Sequence, residues 1–392
     1  MRKEYDVIVV GGGPAGSTAA RFAKTATNTV ALFERDREIG IPVRCAEATS
    51  IPDLERFVKI DPHWIATTIT KARLISPSDQ KVWLNLPNDG VILNRRLFDN
   101  GLAEIAATQG VEIFTKANVY KIVSDGEQHW EVFVRHLDRD YIVKSKIIIA
   151  ADGVESRIAR FAGIRTQTVL KDIESCAQAL LGNLDIADDQ IDFYFSSRWA
   201  PGGYAWVFPK GNHTANVGLG VNGAYYKGRS AMEYLNDFIN EKFPEAARLT
   251  TVAGGVPVAK SLKKIASDGL LIVGDAARQV NPVTGGGILA AITAGKIAGL
   301  VAAQAIARND WSVNVLKEYQ TEWDKNVGKD YARFYKIKEW MTELTDDELD
   351  EIATLLQKIP PDDINIMTVF KIALRNKPAL LLEAIKLFAQ MI

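Results

Sequence analysis

Cysteine is nearly missing from this chain: Cys45 and Cys176 are the only two among 392 residues. Two thiols cannot form a disulfide framework, so the fold has to rest on an apolar core. No metal ligand set is read from the sequence. A surplus of charge is missing as well, with 47 Lys and Arg against 48 Asp and Glu and no basic block. Nucleic acid therefore has no electrostatic footprint here, and a small or lipid-like ligand is the better expectation. Long unbroken apolar runs are absent too. The longest, residues 285–307, is interrupted by Lys296 and rich in Gly and Ala, which suits a helix packed on a sheet better than a lipid span. The charged start lacks the apolar stretch of a signal peptide, so a cytoplasmic location is expected.

What is present is an ordinary globular composition, 47% apolar and 24% charged. Residues 5–10 are a continuous run of strand formers, 14–25 are helix-compatible, and 29–33 are a second apolar run, a βαβ opening. Short alternating strands with Gly-rich turns fill residues 166–265, and nucleotide-type segments flank them. Beyond about residue 310 the pattern is helical. The expected fold class is mixed α/β: a Rossmann-like domain of residues 1–70, 91–165 and 266–305, interrupted by an antiparallel sheet domain of 71–90 and 166–265. A helical region, 306–392, follows.

Three motifs carry chemistry. Gly11-Gly12-Gly13-Pro14-Ala15-Gly16 follows a strand and opens a helix. Gly11 would allow the tight turn, Gly13 the approach of a pyrophosphate, and Gly16 close helix–strand packing, while the helix N-terminus offers N–H groups to phosphate. Glu34, at the end of the next strand, would accept hydrogen bonds from a ribose. This motif alone does not separate NAD from FAD. The second motif runs from residue 269 to 288, with Asp275 at a strand end and Gly285, Gly286 and Gly287 at a helix start. It resembles the aromatic-hydroxylase superfamily of FAD proteins. The resemblance implies that Asp275 binds the ribityl–pyrophosphate region and that Pro282, the three glycines and Ile288 face the flavin. A helix N-terminus there would stabilise the negative charge of reduced flavin. Asp152-Gly153 matches the superfamily's intermediate motif, and Arg95 matches its cofactor-contacting arginine. Arg35 and Val119 are placed along the cofactor by the same resemblance.

The third set, residues 42–47 (PVRCAE) with 201–209 (PGGYAWVFP), resembles the geranylgeranyl reductase family. Relatives commonly have glycine where this chain has Ala46. The resemblance implies that Cys45, with Ala46 beside it, lies near the flavin, while Arg44 would contact the flavin or a substrate phosphate, or pair with Glu47 at the surface. It also implies that Tyr204, Trp206, Phe208 and Pro209 line the channel for the isoprenoid chain. Tyr204, Trp206 and Phe208 alternate, so on a strand they share one face; a plain core has the same look. Saturating an isolated alkene needs a hydride and a proton, and Cys45 or Tyr204 is the expected proton donor.

The function implied is FAD-dependent reduction of the C=C bonds of a polyprenyl lipid, with the geranylgeranyl chains of archaeal ether lipids as the leading substrate. The electron donor would be external, NAD(P)H or ferredoxin. A flavin monooxygenase and a non-redox prenyl carrier are the rivals. Residues 364–392 are apolar on one face, with Leu380, Leu381, Leu382, Ile385, Leu387 and Phe388 close together. That face would pack on the core or rest on a membrane surface.

Overall fold

The computed structural model of the chain describes residues 1–126, 129–375, 377, 378, 381, 382 and 385. The chain divides into two compact units: residues 1–43, 95–168 and 259–331 form the first, and residues 44–94, 169–258 and 332–392 the second.

The first unit is a parallel sheet with helices. Strands Leu270–Ile272, Arg139–Ala150, Glu4–Val10, Val30–Phe33 and Glu112–Phe114 lie side by side in that order, all parallel. Their sequences are near-continuous apolar runs because both faces are covered; Val7, Ile8, Val9 and Ile147 to Ile149 have no exposed surface. A hairpin of Ala117–Ser124 and Trp130–His136 pairs onto Arg139–Ala150. Helix Pro14–Ala23 follows the first strand, and Ile288–Arg308 packs against it through small residues. A Cβ at Gly295 would stand 2.4 Å from the Ala15 carbonyl oxygen, and one at Gly299 2.5 Å from that of Ala19. Only glycine allows this approach. Among the described residues, Ile288–Arg308 is the one helix long and apolar enough to cross a membrane, and 61% of its most apolar stretch is buried.

The second unit is an eight-stranded sheet in the order Ala247–Val256, Glu174–Gly182, Thr214–Asn222, Tyr204–Gly211, Gln190–Tyr194, Ile65–Ile75, Lys81–Leu93, Ala48–Ser50. All neighbours are antiparallel except Gln190–Tyr194 beside Ile65–Ile75. Helix Ala231–Lys242 starts with a capping box of Ser230 and Glu233 and buries Leu235, Phe238 and Ile239 against one face, with Ala205 and Val207. On the other face Trp206 and Phe208 cluster with Ala353, Leu356 and Ile364 of the C-terminal region.

The boundaries expected from the sequence need correction. Residues 44–70 and 91–94 belong to the second unit, because Ala48–Ser50 and Ile65–Ile75 are strands of its sheet. The helical region is not a unit of its own: residues 306–331 belong to the first unit and 332–392 to the second. Each part buries its apolar face on a different core. Of the apolar tail, Leu380, Leu387 and Phe388 lie outside the described residues, while Leu382 and Ile385 are exposed.

Candidate active site

In the first unit the motif glycines differ in what surrounds them. Gly11 has a φ of +106°, and a Cβ there would meet the Ala151 carbonyl oxygen at 2.3 Å. Gly16 is closer still, with a Cβ position 1.8 Å from the Gly11 oxygen. At Gly13, the N-cap of Pro14–Ala23, a Cβ would meet nothing within 4 Å. Open space therefore lies in front of a helix N-terminus with no acidic side chain in its first turn, where N–H groups and dipole favour an anion. Glu34 accepts from the backbone N–H of Gly12 at 2.7 Å and of Asp36 at 2.8 Å, which ties the second strand's end to the glycine loop.

The Asp152-Gly153 turn and the motif of residues 269–288 meet beside it. Ser156, in a left-handed conformation after Asp152-Gly153, donates its hydroxyl to the carbonyl of Ala276 at 2.8 Å, joining that turn to the Gly274–Ala277 turn. Asp275 makes no side-chain hydrogen bond to any described residue. Burial raises its carboxyl to about 6, against the pull of the Arg95 guanidinium. Its Oδ1 lies 3.5 Å from where a Cβ at Gly287 would be, at the start of helix Ile288–Arg308. The turn into that helix is shaped by Asn281, whose side chain accepts from Val283 at 3.0 Å, and by Gly285 at a φ of +69°. Asp152 accepts from the N–H of Ile158 with Oδ2, while its buried Oδ1 has no partner among the described residues. Burial raises this carboxyl too. Two half-buried carboxyls with acceptor capacity to spare, beside a side-chain-free helix start, fit a dinucleotide that brings hydroxyls and phosphates.

Arg95 and Arg96 separate clearly. Arg95 is held in a two-point ion pair by Asp99, at 2.6 and 2.7 Å, and faces inward. Arg96 pairs with Glu38 in solvent. Arg35 pairs with Glu155 at 3.2 Å, half exposed, and Val119 and Ile288 are buried.

In the second unit the aromatic motif is a strand, Tyr204–Gly211, and its neighbours stand in rows. Tyr204 is opposite Gly220, which is opposite Cys176, which is opposite Gly254. One row on, Trp206 is opposite Gly218, and Gly218 is opposite Gln178. The glycines leave the floor free of side chains. A Cβ at Gly218 would stand 2.4 Å from the Trp206 ring, so the indole lies across that strand and reaches Gln178. Its Nε1–H donates to the Gln178 side-chain oxygen at 3.1 Å, and the Gln178 amide donates to the Cys45 carbonyl at 3.0 Å. Two motifs about 150 residues apart are thus linked by one glutamine.

The Cys45 loop is fixed from its other end by Glu47, in a left-handed conformation and buried. Its carboxylate holds Lys210 at 2.7 Å and accepts from Asn216, so Glu47 does not serve as a surface partner for Arg44. The Glu47 N–H donates to Cys45 Sγ at 3.2 Å. Arg44 lies over Gly254 instead. Ala46 packs at the edge of the Trp206–Phe208 cluster, and its carbonyl accepts from Asn216 at 3.4 Å.

Tyr204 packs edge-on against Phe193 and Trp206, with ring centroids 5.5 and 5.9 Å away. Burial, and the nearby Cys176, Glu174 and Cys45, push its phenol well above the usual range. Both Tyr204 and Cys45 nevertheless keep accessible surface. Pro209 needs correction: strand alternation sends it to the side of Ala205 and Val207, away from Tyr204, Trp206 and Phe208, of which Trp206 and Phe208 are buried in the cluster with Ala353, Leu356 and Ile364. Cys176 stands in the row beside Tyr204. Glu174 and Gln178 were missed altogether. Their signal was polar residues at every second position (ESCAQ) of an otherwise apolar strand.

Comparison with known proteins adds the following. A family model described as the geranylgeranyl reductase catalytic domain matches residues 172–256, and one described as pyridine nucleotide-disulphide oxidoreductase matches residues 5–191. The chain is 41% identical to the digeranylgeranylglycerophospholipid reductase of Methanocella arvoryzae, over 99% of this chain and 100% of that protein. Its fold is similar to that of a geranylgeranyl bacteriochlorophyll reductase-like protein from Thermoplasma acidophilum, with a TM-score of 0.90, 34% identity and coverage of 98% and 99%. The p-nitrophenol 4-monooxygenase of Pseudomonas putida, at 16% identity, a TM-score of 0.74 and coverage of 97% and 99%, shares the fold alone.

Proposed function

The chain belongs to the geranylgeranyl reductase family, and from that premise we propose that it binds FAD and saturates the C=C bonds of geranylgeranyl chains on archaeal-type ether phospholipids. The link from Trp206 through Gln178 to Cys45 carries this reading, because it joins both motifs of the family in one wall. When bound, the reduced flavin supplies hydride. The first unit's residues do the holding: the Gly13 helix end takes the pyrophosphate, Asp275 and Asp152 take hydroxyls of the sugar and ribityl chain, and the glycines before Ile288 face the ring. The second unit's residues present Tyr204, Trp206 and Phe208 to an apolar chain and keep water from it. Burial keeps the Tyr204 phenol protonated at neutral pH, and the place of Cys45 and Tyr204 beside Trp206 supports a role in orienting the alkene.

The electron donor is external in this reading, NAD(P)H or ferredoxin. The enzyme works at the cytoplasmic face of the membrane from which it draws its lipid, and the exposure of Leu382 and Ile385 is consistent with that. The test is anaerobic: the flavoprotein is photoreduced and given a lipid with geranylgeranyl chains. Recovery of the oxidised-flavin spectrum at a rate set by lipid concentration is expected. No recovery with the lipid, together with fast recovery in air, would replace the reductase by a monooxygenase.

A further inference from the structure

Glu174 carries a carboxyl outside the glycine and aromatic motifs. It stands two residues before Cys176 on strand Glu174–Gly182, so the two side chains share the face that carries Gln178. Directly across lies Asn222, whose amide donates to Glu174 Oε1 at 2.8 Å. Oε2 is buried without a partner among the described residues. Glycines clear the space around it. A Cβ at Gly220 would stand 3.2 Å from Cys176 Sγ and 3.7 Å from Glu174 Oε2, and one at Gly203 would stand 3.1 Å from the same oxygen. Oε2 therefore converges with the Cys176 thiol over the glycine opposite Tyr204.

We infer that Glu174 is the acid that protonates the alkene. An isolated trisubstituted alkene is a poor hydride acceptor until positive character develops at its more substituted carbon, and that requires a proton at the other carbon. In the step, a C–H bond forms at the less substituted carbon as the Glu174 O–H bond breaks, and the bonding pair stays on the carboxylate. The tertiary carbon takes hydride, with its electron pair, from the reduced flavin, which ends oxidised. The carboxylate then recovers a proton from water. While charge develops, the faces of Tyr204 and Trp206 and the new carboxylate stabilise it.

The local chemistry selects this group over its neighbours. Burial raises the Glu174 carboxyl to about 7, partly offset by the Asn222 hydrogen bond and the Lys338 ammonium. Burial sends the Cys176 thiol and the Tyr204 phenol far above neutrality. Lys338 is occupied by the Lys171 carbonyl and Asp172, and Arg44 lies over Gly254, one strand beyond Cys176. Of these groups Glu174 is the one that is both a proton holder near pH 7 and acidic enough to give the proton up. Oxygen acids poised near the working pH are the efficient donors.

This rests on the reductase reading, and the experiment separates the two. Glu174→Gln keeps shape and hydrogen-bonding reach but has no acidic proton. In the flavin-loaded protein, infrared difference spectra at pH 6 should show a protonated-carboxyl band that is absent from the variant. Lipid reduction should fall at least about 100-fold, with the flavin spectrum and urea midpoint retained. The wild-type rate should decline as pH rises through about 7, a limb that Glu174→Gln lacks and Glu174→Asp keeps. Wild-type turnover in Glu174→Gln, or the same alkaline limb in it, overturns the role of Glu174 and leaves the reductase standing. A wild-type protein that does not reduce the lipid overturns both.

Discussion

The two units build their candidate recognition features from different materials. In the first, the recognition surface is backbone: helix ends, turns at positive φ and glycines without room for a Cβ, such as Gly11 and Gly16. In the second it is side chains set in rows by strand register, as in Tyr204, Gly220 and Cys176, or Trp206, Gly218 and Gln178. A backbone site is intolerant of any added atom. A register site fails when one member of a row loses its partner.

The largest effect is therefore expected at the glycine loop. Gly16→Val places side-chain atoms where a Cβ alone would already be 1.8 Å from a carbonyl oxygen, and the purified protein should carry no flavin by absorbance. Next comes Arg95→Ala, which leaves the carboxylate of Asp99 buried at 6% exposure without its cation. A loss of about 3–5 kcal/mol is expected in urea unfolding. Trp206→Phe removes the indole N–H from Gln178, and should cost about 1–3 kcal/mol while the flavin content is kept. Lipid reduction should slow in that variant, because the Cys45 loop loses its tie to the wall. Asp275→Asn cannot take a negative charge at the helix start, and should weaken flavin binding about tenfold, or about 1.4 kcal/mol, in a fluorescence titration. Arg96→Ala, an exposed pair with Glu38, should change stability by less than about 0.5 kcal/mol. Equal effects at Arg95 and Arg96 would erase the distinction between an inward and a solvated arginine.

The same contrast explains what could be read before the fold was known. Residues 11–16 and 285–287 are contiguous and their chemistry lies in backbone freedom, which glycine spacing reports directly. The parallel sheet was legible in its unbroken apolar runs. The three-aromatic face followed from alternation, but its fourth member, Pro209, did not, because alternation sends it to the opposite side. Gln178 and Glu174 became meaningful only once the strand Glu174–Gly182 was set beside Thr214–Asn222, since cross-strand register is not written in either strand alone. Residues 44–70 were assigned to the wrong unit for a similar reason: Ile65–Ile75 pairs with Gln190–Tyr194, far later in the chain, and Ala48–Ser50 joins the same sheet through Lys81–Leu93.

The most direct test of the central claim is mass spectrometry of a lipid carrying geranylgeranyl chains after anaerobic incubation with the protein and reduced FAD. A series of products is expected, each heavier by two hydrogens, and none gaining oxygen when air is later admitted. Unchanged lipid, or a product heavier by one oxygen, would contradict it.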